Sequence, residues 1–369
     1  MKMNKIQYAK SQFFIVMLVI VALMAALTGC SSNTASSENN GTAGSGAEST
    51  AEESQATASA TGSTVDLSNV TLRIGQVGWP EWEEGFKAAG LLETPYKLEF
   101  SVFQGGNLEL EAIAADQLDF AITSEIPPIF ASQATNQGNF KIVGVQKWNT
   151  LLQELVIPKD SPIKSVAELK GKKVAYVQNT TSQYFLAKML ESAGLTWKDI
   201  VPVKLTTAEG LTALVGGKVD ALASYSNSIT AAHQNGATTL ASAKDILSGN
   251  FPINVNVNAI NDPAKHAAVA DFLQRLTKYY AWTRANQEKW AEITAEKTHQ
   301  KKEDVLGTLI NGDKQRPLAL EAISEGAIAS QQDIADTLTS LGQLPGKIEV
   351  SGVWSHDFDS DIASILAAK

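Results

Sequence analysis

One arrangement of residues occurs twice in this chain. Leu110, Ile113, Leu118 and Asp119 lead into Phe120-Ala121-Ile122-Thr123-Ser124, and the same order of residue types returns as Leu211, Leu214, Val219 and Asp220 before Ala221-Leu222-Ala223-Ser224-Tyr225. Each stretch reads as an amphipathic helix, a tight turn, and a buried strand that opens on an aspartate. Two accounts fit: a chance likeness between helix-turn-strand units, or two related lobes facing one another. On the second account, ligands sit beyond the carboxyl ends of the strands. Thr123-Ser124-Glu125 and Ser224-Tyr225-Ser226-Asn227 would then line opposite walls of one cleft.

The surrounding sequence repeats the alternation of short apolar runs with helical patterns, which predicts an α/β fold with largely parallel sheets. Leu72 and Ile74 mark a first strand, and Gln76-Val77-Gly78-Trp79 leads to Pro80 at a helix start with Glu81, Glu83 and Glu84 in its first turn. Gly90 closes that helix. Leu98, Phe100 and Val102 alternate as a second strand, Gln104-Gly105-Gly106-Asn107 turns the chain, and Asn107 is placed to cap the next helix. From Asp262 onward the chain reads as mainly helical, with Phe272, Leu276, Tyr280 and Trp290 on buried faces.

The N-terminus has a different character. Lys2, Lys5 and Lys10 precede an apolar run from Phe13 to Leu27, the anatomy of a secretory leader and too short to span a bilayer. Leu27-Thr28-Gly29-Cys30 follows and resembles the bacterial lipobox, which implies that Cys30, the only cysteine, is lipidated and becomes the mature N-terminus. Two acyl chains give stable anchoring where one does not. A lone cysteine also leaves no disulfide and no thiolate metal site. From Ser31 to Ser63 the chain is nearly all Ser, Ala, Thr, Gly, Asn and Glu, a composition that cannot bury a core and reads as a solvated tether. Such a tether suits a Gram-positive wall.

The formal net charge is −9; removing the three leader lysines leaves −12, and setting aside Glu38, Glu48, Glu52, Glu53 and Asp66 leaves −7 for the body. That balance argues against nucleic acid as a partner.

A family resemblance is carried by Thr123-Ser124-Glu125-Ile126-Pro127-Pro128-Ile129-Phe130-Ala131, by Leu155-Val156-Ile157-Pro158-Lys159-Asp160-Ser161-Pro162-Ile163, and by Val166-Ala167-Glu168-Leu169-Lys170-Gly171-Lys172-Lys173-Val174-Ala175. Together they look like the substrate-binding proteins of ABC importers for aliphatic sulfonates, which group with taurine, nitrate and thiamine-precursor binders. The resemblance runs from about residue 70 to the C-terminus and is strongest between Gln104 and Asp220. It implies a type II periplasmic-binding fold: two α/β lobes joined by two crossover strands, with a helical C-terminal portion. The division expected is a leader over 1–29, a lipidated tether over 30–66, lobe 1 over 67–154, lobe 2 over 155–252, and a return to lobe 1 with C-terminal helices over 253–369. An ABC permease and an ATPase are implied as partners of a monomeric binder, with the membrane reached through the lipid on Cys30.

The family's ligand-facing loops fall on Gln76, Gly78 and Trp79; on Gln104, Gly105, Gly106 and Asn107; on Ser124 and Glu125; and on Thr180, Thr181 and Ser182. Trp148 is a further cleft residue by the same resemblance, and Ser224, Tyr225 and Asn227 belong to the opposite wall. The loops also make physical sense for a small anion, because turns rich in Gly, Thr and Ser before a helix present free N–H groups and hydroxyls at its positive end. Helices beginning near Asn107, Pro127 and Ser182 would converge there. None of the four arginines, Arg73, Arg275, Arg284 and Arg316, lies in a motif that maps to the cleft, so neutral donors rather than a guanidinium clamp are expected. Lys147 reads as a solvated lysine beside a strand end.

Trp79, Trp82, Phe103, Trp148, Tyr184 and Tyr225 gather at these loops, some as core and some as walls for an apolar ligand body. Glu125 is placed either to meet the ammonium of an amino sulfonate or to cap the helix at Pro127, with capping favoured. Tyr225-Ser226-Asn227 stands where many sulfonate binders carry a Trp-Asp-Pro-like turn, and Ser124 replaces a frequent glycine. Asn254-Val255-Asn256-Val257-Asn258 reads as a crossover strand with amides near the cleft, and Leu338 to Lys347 as a segment packing back on the first lobe.

No chemistry-bearing constellation competes with binding. His233, His266, His299 and His356 contain no pair at metal-ligand spacing, and Gly217-Lys218 lacks the first glycine and the hydroxyl of a phosphate loop, Thr212 and Val219 standing in their places. No enzyme activity, cofactor or metal is expected. The function expected is extracytoplasmic capture of a small organic anion, an aliphatic or aryl sulfonate, for import. Nitrate, a thiamine-pyrimidine-like heterocycle, or a tethered sensor role are the alternatives.

Overall fold

The computed structural model describes residues 65–368, so Cys30, the leader and nearly all of the tether lie outside the described residues. The described chain opens with β1 (Thr71–Val77), α1 (Glu81–Ala89), β2 (Lys97–Phe103), α2 (Gly106–Ala114), β3 (Phe120–Ile122), α3 (Ile126–Ala131) and β4 (Phe140–Lys147). It then enters a second sheet through β5 (Gln153–Ile157), β6 (Lys173–Tyr176), α4 (Thr181–Ser192), β7 (Val201–Lys204), α5 (Thr207–Val215), β8 (Ala221–Tyr225), α6 (Asn227–Gln234) and β9 (Thr238–Ser242). It returns with β10 (Asn250–Asn256), α7 (Val257–Asn261), α8 (Pro263–Ala285), α9 (Gln287–Thr298), α10 (Lys302–Gln315), β11 (Ala319–Glu321), α11 (Glu325–Ser340) and α12 (Asp359–Ala367).

The first sheet runs β11-β4-β10-β3-β1-β2 and the second β7-β6-β8-β5-β9. Both are mixed rather than largely parallel. β1 pairs in parallel with β2 and β3, and β6 with β7 and β8, whereas β10 against β3 and β4, and β5 against β8 and β9, are antiparallel. The antiparallel members are the strands next to the crossings between sheets: parallel neighbours need a helical crossover within one lobe, and a strand arriving from the other lobe does not have one. The two crossings occupy residues 148–152 and 243–249.

The repeated motif has the same place and the same wiring in each sheet. Asp119 donates its N–H to the Arg73 carbonyl at 2.9 Å and accepts the Arg73 N–H on its carboxylate at 2.9 Å. Asp220 does the same with Lys173, at 2.8 Å in both directions. The shared geometry favours two related lobes over chance likeness.

Each sheet is covered on both faces. In the first lobe Phe86, Phe120, Phe272 and Tyr279 pack one face, and Leu110, Ile113, Ile142 and Trp354 the other. In the second, Leu155, Val174, Phe185 and Leu190 fill one side and Val156, Ala175, Leu214 and Leu222 the other. Leu338 and Leu344 join Ile126, Ile129 and Tyr184, so the segment read as packing on the first lobe also reaches α4 of the second. Gln183 Nε2 donates to Gln343 Oε1 at 2.9 Å across the same junction.

Candidate functional site

A cleft of about 260 Å³ lies between the sheets at the carboxyl ends of β1, β3 and β8. Three helix starts reach it. Gly106 opens α2, Ser124 and Pro127 lie at the start of α3, and Thr180 and Thr181 open α4, where the Thr180 hydroxyl accepts the Ser182 N–H at 3.3 Å. Glycine is required at the first of these: a Cβ on Gly105 would stand 3.0 Å from the Tyr225 hydroxyl, and one on Gly106 would stand 3.0 Å from the Thr123 side chain. The opposite wall is Tyr225-Ser226-Asn227. Ser226 sits at φ 54°, a left-handed conformation that non-glycine residues adopt at a cost and keep where the surroundings impose it.

Of the residues singled out in the sequence, Gln76, Gly78, Trp79, Gly106, Ser124, Trp148, Thr180, Thr181, Tyr225 and Asn227 line this one cleft. The rest stand just outside it. Gln104 accepts the Thr207 hydroxyl at 3.2 Å, joining the lobes at the mouth. Gly105 backs the Tyr225 hydroxyl. Ser182 is buried and joins β6 to β8, accepting the Val177 N–H at 2.9 Å and donating to the Ala223 carbonyl at 2.7 Å. Ser224 bonds Ser228 at 3.1 Å.

Three expectations change. Asn107 does not cap α2: the helix starts at Gly106 without a side-chain cap, and Asn107 Oδ1 is buried without a hydrogen-bond partner. Glu125 does not cap α3 either. Its carboxylate accepts Asn250 Nδ2 at 3.0 Å and the Ser248 hydroxyl, bonds that hold the incoming end of β10, while burial raises its pKa against them. The amides of β10 are likewise spent internally: Asn254 Nδ2 donates to the Pro252 carbonyl at 2.9 Å and to the Thr123 hydroxyl at 3.1 Å, and Asn256 Nδ2 to the Leu118 carbonyl at 3.1 Å. Phe251 of that strand is the residue that lines the cleft.

The C-terminal helices contribute a wall that sequence reasoning missed. Tyr279 and Arg284 of α8, Trp290 of α9 and Asp313 of α10 line the cleft beside Glu81 of α1, so an arginine does reach it. Arg284 Nη1 donates to the Leu318 carbonyl at 3.3 Å, and Asp313 accepts Gln287 Nε2 at 2.7 Å. Glu81 accepts the Tyr279 hydroxyl at 3.2 Å; burial pushes its carboxyl up to about 7, opposed by that bond. Trp79 and Trp290 face each other at 5.5 Å, and Trp148 packs on Phe251 at 5.9 Å. Several polar atoms of the wall residues are buried without a partner among the described residues: Gln76 Nε2, Gln153 Oε1, the Tyr225 hydroxyl and Thr294 Oγ1. Such atoms cost free energy in an empty protein and are satisfied by a ligand or water.

Two α/β lobes around a cleft lined by helix starts, hydroxyls and aromatic rings define a ligand-binding protein with the type II periplasmic-binding fold. The chain belongs to the NMT1/THI5-like family, whose model matches residues 87–290. It is 30% identical over 269 residues to a protein of Escherichia coli (strain K12) named a putative aliphatic sulfonates-binding protein, covering 72% of this chain and 82% of that one. The crystal structure of the periplasmic aliphatic sulphonate binding protein SsuA from Escherichia coli matches with a TM-score of 0.64 at 29% identity, over 77% of this chain and 92% of that one. The alkanesulfonate-binding protein SsuA from Xanthomonas axonopodis pv. citri bound to MOPS matches with a TM-score of 0.70 over 79% and 99% of the two chains; at 24% identity that likeness is one of fold. The resemblance to sulfonate-binding proteins is thereby borne out.

Proposed function

We propose that this chain is the extracytoplasmic solute-binding lipoprotein of an ABC importer and captures a small organic anion, an aliphatic or aryl sulfonate, between its lobes. The observation that carries the reading is the pair of buried donors without a partner among the described residues, Gln76 Nε2 and the Tyr225 hydroxyl, in the same cleft as the helix starts at Gly106, Thr180 and Thr181. Each helix start contributes about 0.3–2 kcal/mol to holding a negative group before its hydrogen bonds are counted. A sulfonate fits these neutral donors, and aromatic walls fit the hydrocarbon that follows it. Binding is the whole role, with no reaction catalysed. Cys30 carries the lipid, and a permease and an ATPase receive the ligand.

The test is thermal unfolding of the full chain in Tris, since HEPES and MES are themselves sulfonates. It covers alkyl and aryl sulfonates, taurine, nitrate and pyrimidines. At one hundred times its dissociation constant a ligand adds about 2.7 kcal/mol, a shift of several degrees in a domain of this size. A shift with sulfonates is the expected result. A flat response to every sulfonate beside a shift with nitrate or a pyrimidine would overturn the substrate class.

A further inference from the structure

The charges that line the cleft are few: Glu81, Arg284 and Asp313 among the described residues. Two of them have internal work, Arg284 on the Leu318 carbonyl and Asp313 on the Gln287 amide. Glu81 differs. Its bonded neighbour is the neutral hydroxyl of Tyr279 at 3.2 Å, and among the described residues no lysine or arginine forms an ion pair with it. Its surroundings are aromatic: Trp79 stands 5.5 Å from Trp290, and Trp290 meets Tyr279 edge-on at 5.6 Å, all lining the same cleft. A carboxylate beside indole and phenol rings is a site for an ammonium group, which gains from the ring faces and from the negative charge together. The other acid nominated for an amine, Glu125, has committed its carboxylate to Ser248 and Asn250.

Resting on the reading above, we propose that the ligand is a zwitterion. Its sulfonate lies at the helix starts of Gly106 and Thr181, and its protonated or quaternary amine lies against Glu81, Trp79 and Trp290.

Isosteric pairs that differ only in charge test this. In each pair one compound is an alkanesulfonate ending in a trimethylammonium group and the other ends in a tert-butyl group, with ethane, propane and butane linkers to cover the spacing. Titration calorimetry uses the full chain purified in non-ionic detergent, in dilute phosphate at about pH 8, where Glu81 is largely ionised, free of amines and sulfonates. The expected result is that at one linker length the ammonium compound binds about tenfold more tightly than its isostere. Glu81→Gln removes that preference, so that the two compounds of a pair bind within about twofold of one another. Equal or tighter binding of the tert-butyl compound at every length overturns the amine site while the sulfonate reading stands. A preference that survives in Glu81→Gln overturns the role of Glu81. Binding of neither series to the wild-type chain sinks the sulfonate reading and this one with it. Should Glu81→Gln fold poorly, the wild-type comparison alone decides, and Trp79→Leu, on the exposed side of the ring pair, provides the second variant.

Discussion

Thr181 and Trp148 sit in the cleft in different capacities, one offering a hydroxyl at a helix start and the other a ring beside Phe251. Replacing Thr181 by Val removes one hydrogen bond to a charged ligand and is expected to cost about 1.5–3 kcal/mol of binding. Trp148→Ala removes a wall and is expected to weaken binding by a similar factor, with both variants unfolding near the wild-type temperature; calorimetry and thermal melts check the two halves of this statement. Glu81 gives a pH dependence whose sign follows from burial. Its carboxyl is raised from the ordinary 4.5 to about 7, so between those pH values the folded chain holds a proton that the unfolded chain has lost. Folding stability from this group is therefore highest below its ordinary pKa, falls as pH rises through that window, and is lowest above about 7. Glu109, buried without a partner among the described residues and pushed well above its ordinary value by that burial, acts in the same direction. Glu81→Gln is expected to raise stability at pH 8 by about 1–3 kcal/mol and to change little at pH 4, read from urea melts at both values.

Among the elements, the strands opened by Asp119 and Asp220 are the ones whose sequence announced their geometry. The aspartate is legible because its carboxylate answers a backbone N–H of the neighbouring strand, which only a short acceptor at that position can do. The two sites differ in what else they hold. Asp119 also binds Arg73 Nη2 at 2.6 Å and Lys265 Nζ at 2.8 Å with its side chain fully buried, whereas Asp220 lies near the surface. Asp119→Ala is expected to cost about 3–5 kcal/mol and Asp220→Ala about 1 kcal/mol, measured by chemical denaturation. What the sequence did not disclose came from the return segment. Tyr279, Arg284 and Trp290 look like the ordinary residues of amphipathic helices, and nothing local says that α8 and α9 pass beside the first-strand loop. Glu125 and the asparagines of β10 escape a local reading for the same reason, since each has a partner more than a hundred residues away: Glu125 meets Asn250, Asn254 meets Thr123 and Asn256 meets Leu118. Local pattern identifies which residues could hydrogen-bond; only the fold decides with whom.

At the scale of the whole molecule the lobes meet at the mouth through Thr207 on Gln104 and through Gln300 Nε2 on Asn227 Oδ1 at 3.1 Å. Both contacts are between neutral polar groups near solvent, each worth about 0.5–1.5 kcal/mol. A ligand spanning the cleft would therefore dominate the balance between open and closed forms. Gln104→Ala is expected to leave the folded stability within about 1 kcal/mol and to shorten ligand residence by severalfold, a difference that stopped-flow dissociation would read. The repeated motif pointed to two related lobes because it is a chain-local pattern. The identity of the walls was not. The crossing over 148–152 carries this further, since it is at once the connection between the sheets and part of the cleft, through Trp148, Asn149 and Leu152. On the proposed role, the residues that bend when the lobes part would be the residues that touch the ligand. Selection on this short stretch would then adjust what is recognised and how readily it is let go at the same time, so affinity and release rate are expected to evolve together here rather than as separate traits.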